Sequence, residues 1–213
     1  MKTHSKRNLY LGLASLAVFL LWTVMVSRID LQAIGPLGST VGFASLNRFV
    51  HDLTGVHMCL YTITDWLSLI PLGFAAGFAL LGLVQWVRRG RLLHVDRSIL
   101  ILGGYYAVVM AVFLFFERCV INYRPILIDG VLEASYPSST TMLVLTIMPT
   151  AIMQLNDRIK QPALRRIIRS VLAVFTGAMV IGRLFSGVHW FSDIVGGILL
   201  SAGLVWLYAC FAE

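Results

Sequence analysis

Uncharged apolar runs dominate this chain, and they limit what it can become more than any other feature. They cover residues 9–26, 66–87, 98–116, 138–155 and 194–212, with a sixth run at 168–183 that carries arginine only near its ends. At a rise of about 1.5 Å per residue, roughly 20 residues cross the hydrocarbon of a bilayer. Lipid offers no partner to a bare amide, so each run must close its hydrogen bonds internally as a helix. Of the 213 residues, 58% are apolar and 13% charged, where soluble domains hold about 45–50% and 25%. These features predict an all-α polytopic membrane protein of six transmembrane helices, with residues 1–213 forming a single membrane-embedded domain. The first run is longer than the apolar core of a signal peptide, and Val26-Ser27-Arg28 lacks a small-x-small cleavage pattern; it reads as a retained anchor.

Charge then orients the spans. Lys2, Lys6 and Arg7 precede the first run, Arg88, Arg89, Arg91 and Arg97 follow the second, and Arg158, Lys160, Arg165, Arg166 and Arg169 follow the fourth. These are 12 of the 17 basic residues, and alternating spans bring them to one face, which the positive-inside rule makes cytoplasmic. Both termini are then cytoplasmic, in a plasma or cytoplasmic membrane. The net charge of +7 is explained by topology, and no nucleic-acid partner is expected. Between the first two runs, residues 40–54 place Phe43, Leu46, Phe49, Val50 and Leu53 at helical spacing opposite Ser45, Asn47, Arg48, His51 and Asp52. This pattern predicts an amphipathic helix, capped by Ser39 or Thr40 and ended by Gly55, at the outer interface or packed on the bundle. Gly73, Gly77, Gly103, Gly104, Gly196 and Gly197 suit close helix packing within the chain, with a dimer face as the alternative. The oligomeric state is not legible. Cys59 and Cys119 share the outer face, where a pairing is conceivable.

Polar residues gather at the outer ends of the spans in three clusters: 117–125, 136–141 and 182–193. Arg124 and Arg183 offer permanently charged, planar donors suited to phosphate oxygens. Pro137-Ser138-Ser139 is a helix start, whose free amides and positive dipole end suit an anion. His189 and Asp193 sit four apart, so on a helix they share a face. A carboxylate there keeps one imidazole nitrogen protonated and leaves the other as nucleophile or base. Two guanidiniums, a helix N-terminus and an Asp-oriented histidine converge on phosphoryl transfer outside the cytoplasm.

The order and spacing of these residues also resemble the type-2 phosphatidic acid phosphatases, integral membrane lipid phosphatases related to vanadium haloperoxidases. Their pattern reads K-x6-R-P, then P-S-G-H, then S-R-x5-H-x3-D. Arg124-Pro125 matches the end of the first motif, Pro137-Ser138 the start of the second, and Arg183, His189 and Asp193 the third. The resemblance implies an acid phosphatase/haloperoxidase-like helical bundle acting on a phosphorylated membrane lipid. His189 would form a phosphohistidine and Asp193 would orient it. Arg124, Arg183 and Ser138 would cradle the phosphate, with the amides of Ser139 and Thr140. No metal or other cofactor is implied.

The departures from that pattern are equally specific. Glu117 holds the lysine position, with Arg118 one residue out of register, and Ser139 and Gly182 replace a glycine and a serine. Thr140 stands where the family has the histidine that protonates the leaving oxygen, and a threonine hydroxyl is far too weak an acid for that task. His51 or His57, or a protonated Glu117, are the candidate substitutes. Without an acid, a phosphate leaving group, with a second pKa near 6, departs more readily than an alkoxide. The expected substrate is therefore a lipid diphosphate such as a polyprenyl diphosphate, ahead of a phosphatidic-acid-like monoester. The alternatives are a weakened member that only binds phosphorylated lipid, and a lipid phosphotransferase.

Overall fold

The computed structural model describes residues 3–212; Lys2, of the basic N-terminal trio, lies outside the described residues. Eight α-helices follow one another among them: α1 (Thr3–Arg28), α2 (Ala44–Thr54), α3 (Met58–Leu67), α4 (Leu69–Arg89), α5 (Arg97–Arg118), α6 (Ser139–Arg158), α7 (Pro162–Phe185) and α8 (Phe191–Ala212). α8 is the hub, with α1 along its length and α2, α5, α6 and α7 around it. Small residues set that approach. A Cβ on Gly12 would meet Leu207 at 2.9 Å and one on Gly203 would meet Leu16 at 2.6 Å, so α1 and α8 close to near backbone contact. Gly196 does the same against the Tyr136 ring, at 2.6 Å.

The described residues hold five segments long and apolar enough to cross a membrane: His4–Val26, Met58–Arg89, Arg97–Arg118, Pro162–Phe185 and Phe191–Ala212. α6, the remaining expected span, has 20 residues but carries Thr140, Thr141, Thr146, Thr150 and Gln154 on buried positions. It is a polar-lined inner helix, shielded from lipid by its neighbours.

Several boundaries differ from expectation, each for a local reason. The second run begins earlier, as α3, and breaks at Ser68 before α4. Pro71 falls in the first turn of α4, where a missing N–H costs nothing. α7 begins at Pro162, upstream of 168, with proline at its first position. α2 is not capped by Ser39 or Thr40. Phe43 precedes it in the left-handed region, and Asp30 caps from a distance, Ser45 donating its N–H to Oδ2 at 2.6 Å. That bond is the main reason the Asp30 carboxyl is held below the usual carboxylate range. Gly55 ends α2 as expected. Gly73, Gly77, Gly103 and Gly104 do not serve close packing within the chain: nothing lies within 4 Å of a Cβ built on any of them. They border open apolar grooves along α4. Cys59 and Cys119 are both free and exposed.

α2 turns Asn47 and, in part, His51 inward, while Ser45, Arg48 and Asp52 stay exposed. Asn47 is fully buried, while Leu46, Phe49 and Leu53 are exposed. Leu46, Phe49 and Leu53 face away from the bundle, as an interfacial helix in a membrane requires, and Asn47 and His51 reach the clustered residues described next.

Candidate active site

The segment between α5 and α6 supplies the first arginine. Ile128 and Val131 exchange backbone hydrogen bonds across Asp129-Gly130, both at positive φ (49° and 77°). Asp-Gly is the favoured pair for such a two-residue hairpin turn. The hairpin continues through Arg124 N–H to Glu133 O (3.0 Å) and Ser135 N–H to Asn122 O (2.9 Å), which fixes the backbone of Arg124. The Arg124 side chain is buried; its Nε lies 2.9 Å from Glu133 Oε2 and its Nη1 3.4 Å from His189 Nε2. A guanidinium only donates, so Nε2 is the unprotonated nitrogen of a neutral ring. The ring proton then sits on Nδ1, 3.8 Å from Asp193 Oδ2.

His189 reaches this point through a turn that only glycine allows. Gly187 has φ +68°, and a Cβ there would lie 2.0 Å from Gly55 O. Burial first, then the charges of Arg124 and Arg183, hold the His189 imidazole well below the usual histidine range. The ring is therefore neutral at neutral pH and keeps its lone pair.

Asp193, fully buried in the first turn of α8, accepts from Trp190 N–H at 2.9 Å and from Asn122 Nδ2 at 3.2 Å. Ser192 binds Asn47 twice: its N–H donates to Oδ1 at 3.0 Å, and its Oγ accepts from Nδ2 at 2.9 Å. Asn122 Nδ2 also lies 3.3 Å from Ser192 Oγ, and Trp190 Nε1 donates to Tyr123 O at 2.7 Å. These bonds tie α2, the hairpin and the start of α8 into one block around His189.

The α6 N-terminus faces the same block. Ser138 donates its N–H to Asp193 O at 3.0 Å and begins the helix by accepting from Met142 N–H. The Oγ atoms of Ser138 and Thr141 are buried without a hydrogen-bond partner. Ser139 is half-buried and Thr140 buried, and the amides that open α6 have no carbonyl a turn before them to bind. Arg183, 1% exposed, ends α7; its Nη1 donates to Thr64 Oγ1 at 3.2 Å, its Nη2 lies 3.8 Å from Asp65 Oδ1, and its Nε has no partner.

The residues singled out from sequence are thus brought together for Arg124, Ser138, Arg183, His189 and Asp193. The auxiliary candidates fare differently. His51 sits beside the loop, its Nε2 3.2 Å from Gly187 O and its ring against Trp190. His57 is exposed, with Nε2 2.9 Å from Thr54 O. Arg118 and Glu117 are exposed at the end of α5, where Glu117 lines a small cavity with Ser135, Pro137 and Ser139. Asn47, Asn122 and Ser192 stood out only as members of a polar face or cluster and Thr64 not at all; sequence reasoning gave none of them a role. The hairpin did have a signal, the Asp129-Gly130 pair between Ile128 and Val131. Among the described residues, no three His, Cys, Asp or Glu side chains gather as a metal-binding group.

Comparison with known proteins agrees with this arrangement. No curated protein matches the chain in sequence. The crystal structure of the first transmembrane PAP2-type phosphatidylglycerolphosphate phosphatase from Bacillus subtilis superimposes with a TM-score of 0.62 at 15% identity, covering 94% of each chain. At that identity the likeness bears on the fold alone. The PAP2 superfamily family model matches residues 104–213, which hold Arg124, Ser138, Arg183, His189 and Asp193. With just over half of its length matched in this way, the chain belongs to the PAP2 superfamily and is, in broad class, a membrane phosphatase.

Proposed function

We propose that this protein removes phosphate from a lipid diphosphate, and more slowly from a lipid phosphomonoester, through a phosphohistidine at His189. One observation carries the reading: the Nε2 lone pair of a neutral His189 faces the Arg124 guanidinium at 3.4 Å, with Asp193 behind the other nitrogen. A phosphoryl group drawn to the guanidiniums meets that lone pair. Nε2 attacks phosphorus, the bond to the leaving oxygen breaks, and Asp193 stabilises the imidazolium that forms. Water then attacks the phosphohistidine, inorganic phosphate leaves, and His189 returns to its neutral form. Arg124, Arg183, the Ser138 hydroxyl and the amides of Ser139 and Thr140 hold the oxygens. The buried Ser138 Oγ and Arg183 Nε, both without a partner, support this assignment.

Thr140 at the acid position favours the diphosphate. A general acid contributes about 10²–10⁴-fold, and its loss falls on alkoxide leaving groups more than on a departing phosphate. His51 and His57 already contact backbone carbonyls, and Glu117 sits in the wall of the neighbouring cavity; none is needed for a phosphate leaving group. A member that binds lipid without turning it over is disfavoured by the presence of both His189 and Asp193, with Nδ1 3.8 Å from Oδ2. Transfer of the phosphoryl group to another acceptor would use the same intermediate.

We read the chain as one membrane-embedded domain of six spans, with α6 as the inner span. Both termini are cytoplasmic and the site opens at the outer headgroups, as the basic loops and the outward apolar stripe of α2 favour. Purified protein offered polyprenyl diphosphate, phosphatidylglycerolphosphate and phosphatidic acid tests the reading. Phosphate release fastest from the diphosphate and absent in His189→Ala is expected; release that survives His189→Ala, or is faster from the monoesters, contradicts it.

A further inference from the structure

Arg183 is held by a helix that the sequence motifs do not include. α3 presents Tyr61, Thr64 and Asp65 at positions i, i+3 and i+4, one face, toward α7. The Tyr61 ring lies under the guanidinium at 4.7 Å, Thr64 Oγ1 accepts from Nη1 at 3.2 Å, and Asp65 Oδ1 stands 3.8 Å from Nη2. The Thr64 hydroxyl proton is committed to the carbonyls of Leu60 and Tyr61, both at 2.9 Å, so its oxygen is fixed as an acceptor.

Thr64 can come this close because residue 182 is glycine: a Cβ there would lie 2.9 Å from Thr64 Cγ2. The Thr64 methyl packs on that bare backbone, which brings the neighbouring Oγ1 within reach of Arg183. Asp65 differs in kind from its neighbours. Its side chain is 57% exposed while that of Arg183 is 2% exposed, and 3.8 Å is too long for a hydrogen bond. It is a loose counter-ion to a buried cation whose Nε is still unpartnered.

We propose that α3 completes the Arg183 half of the phosphate site: Thr64, with Tyr61, is a positioning residue that sets the guanidinium plane, and Asp65 is a resting counter-ion that an incoming phosphate displaces. This deepens the proposed function and rests on Arg183 binding phosphate. Thr64 and Asp65 then act in opposite directions. Thr64 readies Arg183 for the anion, whereas Asp65 competes with the anion and hastens release of inorganic phosphate.

Full-length protein in nanodiscs, with inorganic phosphate as competitive inhibitor of lipid diphosphate turnover, separates the two roles. Thr64→Val is expected to raise the phosphate inhibition constant and KM about tenfold, the scale of a lost hydrogen bond to a charged group. Asp65→Asn is expected to lower the inhibition constant about fivefold, the upper end for a partly exposed ion pair. Gly182→Ser is expected to weaken phosphate binding by displacing Thr64, whose methyl its Cβ would meet at 2.9 Å. A merely structural α3 would move both single variants the same way. That result, unchanged constants in both, or no inhibition of the wild type by phosphate overturns the inference while the wild-type turnover stands. Full turnover in His189→Ala instead overturns the proposed function beneath it.

Discussion

The two ends of the helical bundle bury similar polar residues and treat them differently. At the basic end, Gln154 Nε2 donates to Tyr208 Oη at 2.5 Å and to Ser98 O at 3.3 Å, and Arg158 bonds to Gln154 and to Ser98 Oγ. Asp96 closes a second set, binding Arg89 and Gln85 at 2.8 Å each. These groups satisfy one another and clamp α4, α5, α6 and α8. At the opposite end, Ser138 Oγ, Thr141 Oγ1 and Arg183 Nε are buried with no partner. A buried donor left unpaired costs about 1–3 kcal/mol, and native proteins keep few of them. The end that holds His189 thus keeps buried donors unpaired, as a ligand site would, and the basic end pairs its own.

If that contrast holds, substitutions at the outer end remove activity and spare the fold, while those at the basic end do the reverse. The largest effect is expected from His189→Ala: loss of phosphate release by at least about 10³-fold, the scale of deleting a nucleophile, with no fall in Tm. Arg124→Ala should lower kcat/KM by about 10²–10³-fold, as removal of one preorganised donor does, measured on the same lipid diphosphate. Thr140→His would sharpen the contrast by adding the missing acid. The ratio of monoester to diphosphate turnover should rise about 10–100-fold, and an unchanged ratio would detach substrate choice from that position.

The pH profile carries a direction of its own. Burial and the two arginines hold the free-enzyme His189 well below the usual histidine range. On the proposed mechanism, His189 attacks only above that depressed pKa and is lost to protonation below it. The limb of kcat/KM that belongs to His189 should appear well on the acid side of the 6.5 of free histidine. Loss of activity on falling through 6.5 would place His189 in an open, unpaired setting. The smallest effect on turnover is expected from Gln154→Leu: kcat/KM within about twofold of wild type, with about 1–3 kcal/mol of stability lost from the broken network, read as a lower Tm.

Five of the expected spans and the spacing of the candidate site residues were legible in the sequence because each rests on short-range chemistry. A run without charge must be helical in lipid, and R-x5-H-x3-D fixes its own spacing across one turn into α8. What escaped depends on contacts made across the fold. Asn47 looks like any residue on the polar face of α2, yet it meets Ser192, 145 residues away. Thr64 lies within a run that reads as the approach to a span, and only the bare backbone at Gly182 shows what it approaches. The cap of α2 failed as an expectation for the same reason, since Asp30, far from the helix start in sequence, does the work that Ser39 or Thr40 was expected to do. The reading of Gly73 and Gly104 failed because small residues are equally compatible with packing and with open grooves.

The central claim is that Arg124, Arg183 and His189 hold a single phosphoryl group. A crystal or cryo-electron microscopy structure of the protein soaked in inorganic phosphate tests it most directly. The account predicts one phosphate with its phosphorus in line with His189 Nε2, both guanidiniums on its oxygens, and the Ser138 hydroxyl turned to meet it. Phosphate bound elsewhere, or touching one arginine while the other stays away, would contradict it.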